Sequence, residues 1–253
     1  MLENRVMPCL LMIDSGLYKT VQFKKPGYVG DPINAIKIFN DKEVDELVFL
    51  DITATEKKKE PNFKLIEDIA SECFMPLAYG GGISTLDQAK RIYEIGVEKI
   101  ALNNAAIHNP KLIEDIANIY GSQAVIVSID YKKNVWGKVL VHGQRGKKSI
   151  GKTPEVFAKE MEQAGAGELL ITSIDREGTW QGLDVEVLKN ITDKVDIPVI
   201  ANGGAGNLQH VEAVVKQGGA SAVTLGSMSV YQKQGLGVLI NFPKRSDILK
   251  VLN

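Results

Sequence analysis

Runs of four to eight apolar, largely β-branched residues alternate along this chain with segments whose apolar positions recur every three or four residues. The first pattern predicts buried strands and the second amphipathic helices, and their steady alternation predicts parallel βα units. Strands are expected over 6–13, 47–50, 75–79, 99–102, 123–129, 169–172, 198–201 and 222–225. Helices are expected over 32–42, 62–73, 85–95, 110–120, 154–163, 184–192, 208–217 and 246–252. Asp31-Pro32 opens the first of these helices, with proline where no N–H is needed. Residues 15–30 read as a glycine-bearing loop. Alternation over 136–142 reads as a hairpin laid over one end of the fold.

Two stretches carry the same pattern. Pro76-Leu-Ala-Tyr-Gly-Gly-Gly-Ile-Ser84 returns as Pro198-Val-Ile-Ala-Asn-Gly-Gly-Ala-Gly206, with Gly203 lying 122 positions after Gly81. Eight βα units with a two-fold internal repeat predict a (β/α)₈ TIM barrel spanning residues 1–253 as one domain. An open doubly wound sheet is the competing architecture, and it rarely carries so even a repeat. Each repeated stretch is an apolar run, then glycines, then a polar residue opening a helix. Glycines let backbone approach an anion, and N–H groups at a helix start face it. Two such cradles imply a ligand with two phosphate-like ends; the plainer reading is a pair of tight βα turns.

Composition narrows the function. The chain has 253 residues, 44% hydrophobic content and a formal net charge of −1, without a long basic run, which argues against a nucleic-acid surface. Its two cysteines, Cys9 and Cys73, lie in apolar segments and read as buried thiols of a reducing compartment. No apolar run reaches membrane-spanning length and the first residues carry no signal-peptide pattern, so a cytoplasmic protein is expected.

In a barrel, functional residues gather at the strand C-terminal ends. Reading those ends gives a first cradle of Gly81, Gly82, Asn103 and Asn104. A second is formed by Gly203, Gly204, Gly226 and Ser227 with Gly178. Lys19, Asp51, Thr172, Glu177 and Asn202 stand at the same end. Asp130 closes an apolar strand and is the candidate acid–base group, although an aspartate there can also cap a turn. His108, His142 and His210 have no partners at metal-ligand spacing and read as surface residues. Nothing indicates a metal or cofactor.

The segments Asp45-Glu-Leu-Val-Phe-Leu-Asp-Ile-Thr-Ala54, Gly80-Gly-Gly-Ile83, Gly121-Ser-Gln-Ala-Val125, Gly165-Ala-Gly-Glu168, Thr172-Ser-Ile-Asp-Arg176 and Gly203-Gly-Ala-Gly206 identify a family. The sequence resembles, over essentially its whole length, the cyclase subunit (HisF) of imidazole glycerol phosphate synthase. The resemblance implies a barrel that receives ammonia from a class I glutaminase (HisH-like) docked at the N-terminal face. It also implies a phosphorylated small-molecule ligand. Arg5, Glu46, Lys99 and Glu168 match the family's charged ring at the ammonia entrance. Each lies at the start of a strand, where charges otherwise serve as solvated stability features.

The family's reaction uses two aspartates, at the ends of strands one and five. Asp130 matches the second, and Leu11 stands where the first is expected. Leucine cannot move a proton, and Asp14, three residues along the strand, would face the other way. Glu177 also replaces a usual aspartate. Pro8-Cys-Leu-Leu11, Lys19-Thr-Val-Gln-Phe-Lys-Lys25, Ala70-Ser-Glu-Cys-Phe-Met-Pro76 and Val238-Leu-Ile-Asn-Phe-Pro243 look like a paralogous branch linked to acetamidino sugars of surface polysaccharides. That resemblance implies ammonia delivery to an ATP-using sugar amidotransferase. The alternatives are the histidine-pathway cyclase and a non-catalytic docking scaffold for the glutaminase.

Overall fold

The computed structural model describes residues 4–252. Eight parallel strands form its centre: β1 (Arg5–Ile13), β2 (Leu47–Asp51), β3 (Leu77–Gly80), β4 (Lys99–Leu102), β5 (Val125–Lys133), β6 (Glu168–Ser173), β7 (Val199–Asn202) and β8 (Ala222–Leu225). Each pairs with its sequence neighbours. β8 returns to β1 through Arg5↔Ala222 to Pro8↔Leu225, which closes the cylinder. This is a (β/α)₈ barrel, as the alternation of patterns predicts.

The strands are apolar on both faces because both are covered. Inside, one residue from each strand forms a plug: Met7, Val48, Ala78, Ala101, Ile126, Leu170, Ile200 and Ala222, with Cys9 above. Outward-facing Val6, Leu10, Leu47, Phe49 and their counterparts pack against the helices. At about 25 cal/mol per Å² of apolar surface removed from water, this two-sided burial is the main stabilising contribution. Polar side chains set the helix starts. Asp31 accepts from Asn34 N at 2.9 Å, Asn207 from His210 N at 3.0 Å, and Thr85 with Gln88 forms a reciprocal capping box.

Three local features differ from the sequence expectation. Residues 15–30 are an antiparallel ribbon, Gly16–Val21 against Lys24–Gly30, and its first arm pairs with the end of β1 through Leu11↔Tyr18. Its turn places Gln22 and Phe23 at φ 53 and 61, so the Asn-Gly signal that announces such hairpins is missing. β5 continues past Asp130, and Tyr131–Lys133 pairs with the returning Val139–Gly143, so the strand itself supplies one arm of the predicted hairpin. Short helices at Asn104–His108 and Ser227–Val230 follow β4 and β8, and are too brief to show a helical period. No helix among the described residues is long and apolar enough to cross a membrane.

Candidate functional site

The strand C-terminal ends open into a cavity of about 150 Å³. Inward-facing positions on the strands and the loops beyond them supply its walls. Leu11 on β1 and Asp130 on β5 both line it. So do Lys19, Asp51 and Glu177, the first cradle (Gly81, Gly82, Asn103 and Asn104), and Thr172, Asn202 and Gly226. Gly178, Gly203, Gly204 and Ser227 do not line this cavity. The second cradle is thus only partly joined to the first by open space.

Asp130 sits within a short polar chain. Asn103 Nδ2 donates to its Oδ2 at 3.2 Å, and Asn202 Nδ2 donates to Thr172 Oγ1 at 3.1 Å. Burial pushes the Asp130 carboxyl up to about 7, against the opposing hydrogen bonds from Thr172 and Asn103. A carboxyl in this range exchanges a proton readily at neutral pH. Leu11 lines the same cavity and offers only methyl groups.

Two other candidates are engaged with one another. Lys19 and Glu177 form a buried ion pair, and Glu177 also accepts from Thr20 Oγ1 and Phe23 N, each at 3.1 Å. These contacts hold the 16–30 ribbon down over the mouth. Burial pulls the Lys19 ammonium down to about 8, against a smaller opposing Coulombic influence from Cys9. Gly178 serves the same contact: a Cβ there would lie 2.5 Å from Thr20 O. Asp51 Oδ1 accepts from Thr53 N, Thr53 Oγ1 and Ala54 N, which orients the loop after β2. The Asn104 side chain accepts from Gln144 N at 3.0 Å and so anchors the segment after the β5 hairpin.

The cradle glycines are required by the backbone. Gly81 has φ +126, and a Cβ there would lie 2.5 Å from Asp51 O; at Gly204 it would lie 2.3 Å from Gly182 O. Gly81→Ala therefore meets fixed backbone in a conformation open to glycine. A loss of roughly 3 kcal/mol is expected, read as a lower urea midpoint. Without that shift, the close approach of β3 to β2 is not what demands glycine.

At the opposite end, Arg5, Glu46, Lys99 and Glu168 meet in one ring. Arg5 Nη1 reaches Glu46 Oε2 at 2.5 Å, and Arg5 Nη2 reaches Glu168 Oε1 at 3.0 Å. Lys99 Nζ reaches the same two oxygens at 3.0 and 3.1 Å. The other oxygens, Glu46 Oε1 and Glu168 Oε2, are buried without a hydrogen-bond partner among the described residues. Burial depresses the Arg5 guanidinium and the two carboxylates raise it, with a net upward shift.

Two sequence readings need correction. His142 is buried beside β5, with Nδ1 2.9 Å from Leu140 O, because the hairpin folds back as a strand instead of ending in solvent. Asp14 lies beyond β1 in a turn with φ 53 and pairs with Lys57 and Lys59 outside the cavity, so the strand alternation does not apply to it. Arg145 and Thr20 went unnoticed in the sequence. The glycines at 143 and 146, bracketing a polar pair, are the turn signal that points to Arg145.

A closed (β/α)₈ barrel with a cavity holding Asp130 and the first glycine cradle at its strand C-terminal ends, and an ion-paired ring at the other, defines a barrel protein built at both faces. The family model "Histidine biosynthesis protein" matches residues 5–234. The chain is 48% identical over 243 residues to a Pseudomonas aeruginosa protein provisionally named imidazole glycerol phosphate synthase subunit hisF2, covering 96% of this chain and 97% of that one. It is 48% identical over 250 residues to a similarly named Leptospira borgpetersenii protein, covering 98% of both chains. A Vibrio vulnificus protein provisionally named subunit hisF3 is 43% identical over the whole chain and 97% of its own length. The chain belongs to the HisF-like cyclase-subunit family of imidazole glycerol phosphate synthase.

Proposed function

We propose that this protein is a synthase subunit that takes ammonia from a class I glutaminase and uses it on a phosphorylated ligand held over Asp130. The observation that carries this reading is Asp130: a half-buried carboxyl whose desolvation raises it to about 7, in a cavity shared with the first glycine cradle. The ring of Arg5, Glu46, Lys99 and Glu168 would face the glutaminase and open to admit ammonia. Above it, the apolar plug favours neutral ammonia over ammonium, because an unpaired charge in such surroundings is strongly penalised.

The names of the relatives favour imidazole glycerol phosphate synthase chemistry on a bis-phosphorylated ribonucleotide. In that reading the cradles hold the two phosphates and Asp130 moves the proton. Leu11 supports a second reading. With no carboxyl opposite Asp130, the barrel would pass ammonia to an ATP-using amidotransferase that forms the acetamidino group of an N-acetyl sugar. Turnover of the bis-phosphorylated ribonucleotide with ammonium salt separates the two. The first reading expects measurable turnover, raised at least 100-fold by Leu11→Asp, in line with the usual worth of a positioned acid–base group. No turnover by either protein overturns it and leaves the sugar reading standing.

A further inference from the structure

The segment that follows the β5 hairpin holds an unusual backbone. Gln144, Arg145 and Gly146 have φ 52, 56 and 78, so two non-glycine residues in succession occupy the left-handed region. Such residues are strained and persist only where surrounding contacts fix them. Here Gln144 N is held by Asn104 Oδ1 at 3.0 Å, and a Cβ on Gly146 would lie 3.0 Å from Ile174 Cδ1 and 3.7 Å from Phe23 Cδ2. The turn thus reaches from the first cradle toward the tip of the 16–30 ribbon, and it brings Arg145 into the cavity wall.

The charges in that wall are otherwise committed. Lys19 is bound to Glu177, and Asp51 is bound to its own loop. Arg145 has Glu56 as counter-ion at 3.1 Å, and Glu56 is half-exposed, shared with Lys147 and not part of the cavity wall. One guanidinium N–H is engaged there, while the group carries five in a planar fork suited to phosphate or carboxylate oxygens. A surface ion pair of this kind is worth little and exchanges easily for a better anion.

We propose that Arg145 is a ligand-recognition residue: its guanidinium binds the anionic end of the ligand seated in the first cradle, beside Gly82 and Asn103. Each cradle then has its own nearby cation, Arg145 at the first and Lys19 beside Gly226 at the second. The inference rests on the phosphate-cradle reading above. It names a residue and a chemistry, a phosphate or carboxylate oxygen pair, that the repeated glycine pattern does not contain.

Titration of the full chain with inorganic phosphate and with malonate, followed by calorimetry and backbone NMR, tests it. For Arg145→Gly, phosphate affinity is expected to fall at least tenfold while the melting temperature stays equal or rises, since glycine relieves the strain at φ 56. Arg145→Lys should fall between, because it keeps the charge and loses the fork. A wild-type preference for phosphate or for malonate identifies which oxyanion the fork takes. Unchanged affinity in Arg145→Gly, with binding still lost in Gly82→Ala, overturns the role of Arg145 and leaves the cradle intact. Absence of binding by the unsubstituted protein overturns both.

Discussion

Asp130→Asn is expected to lower ammonia-dependent turnover by two to four orders of magnitude while making the protein more stable at alkaline pH. Both effects follow from the same burial. The carboxyl sits at about 7 in the folded chain and near 3.8 when free, so between those values the folded state binds the extra proton. Stability then falls as pH rises through that interval, because the unfolded state releases its proton first. A carboxyl raised this far carries a penalty on the order of 4 kcal/mol above pH 7. Asparagine keeps the shape and can meet Thr172 and Asn103 without that penalty. Below about pH 4 the carboxyl is neutral in both states and the advantage disappears. Thermal melts of the two proteins at about pH 4 and about pH 8 should therefore diverge only at the higher pH. Equal melting differences at both pH values would mean that Asp130 carries no raised pKa. Retention of full turnover would remove it from the chemistry. The expected loss is that of a general acid–base group, commonly about 10²–10⁴-fold.

The sequence made the barrel legible because both sides of every strand are buried. Continuous apolar runs such as Leu47-Val-Phe-Leu50 are the direct imprint of a parallel sheet with a plug inside and helices outside. Asp130 and the cradle were legible for a related reason, since a polar residue that ends such a run stands at the cavity. What the sequence obscured depends on long-range pairing. Nothing local to Lys19 or Glu177 indicates that they neutralise one another across 158 positions. The ribbon over 16–30 was hidden because its turn uses Gln22 and Phe23 in place of glycine, with the strain held by Glu177 rather than relieved by the turn residues. Arg145 lies on a turn that Gly143 and Gly146 do mark, but nothing local places it in the cavity wall. The strained segments at the mouth are thus the ones that local rules misread, as expected where contacts between distant segments override local preference.

Glu46→Ala is expected to be the most destabilising single change at the other face, by roughly 3–5 kcal/mol, and to lower the melting temperature by roughly 10 °C for a chain of this size. Glu46 is only 2% exposed, and a single oxygen, Oε2, receives both Arg5 and Lys99. Removing it leaves two cations converging on Glu168 Oε1 alone. The informative comparison is the fourfold replacement of Arg5, Glu46, Lys99 and Glu168 by Met or Leu. Replacing a whole buried ionic cluster with packed apolar side chains is often neutral or stabilising. If this variant melts at or above the parent temperature, the ring is not required for stability and its retention must be explained by what it does. Such a variant should keep turnover supported by added ammonium, because the Asp130 cavity lies at the far end of the barrel. It should lose most of the turnover supported by glutamine and a glutaminase, since the charged face and its opening are gone. Full glutamine-supported turnover with an apolar ring would end the gate reading. A large loss with both nitrogen sources would show instead that the ring is structural and that its removal reaches the cavity.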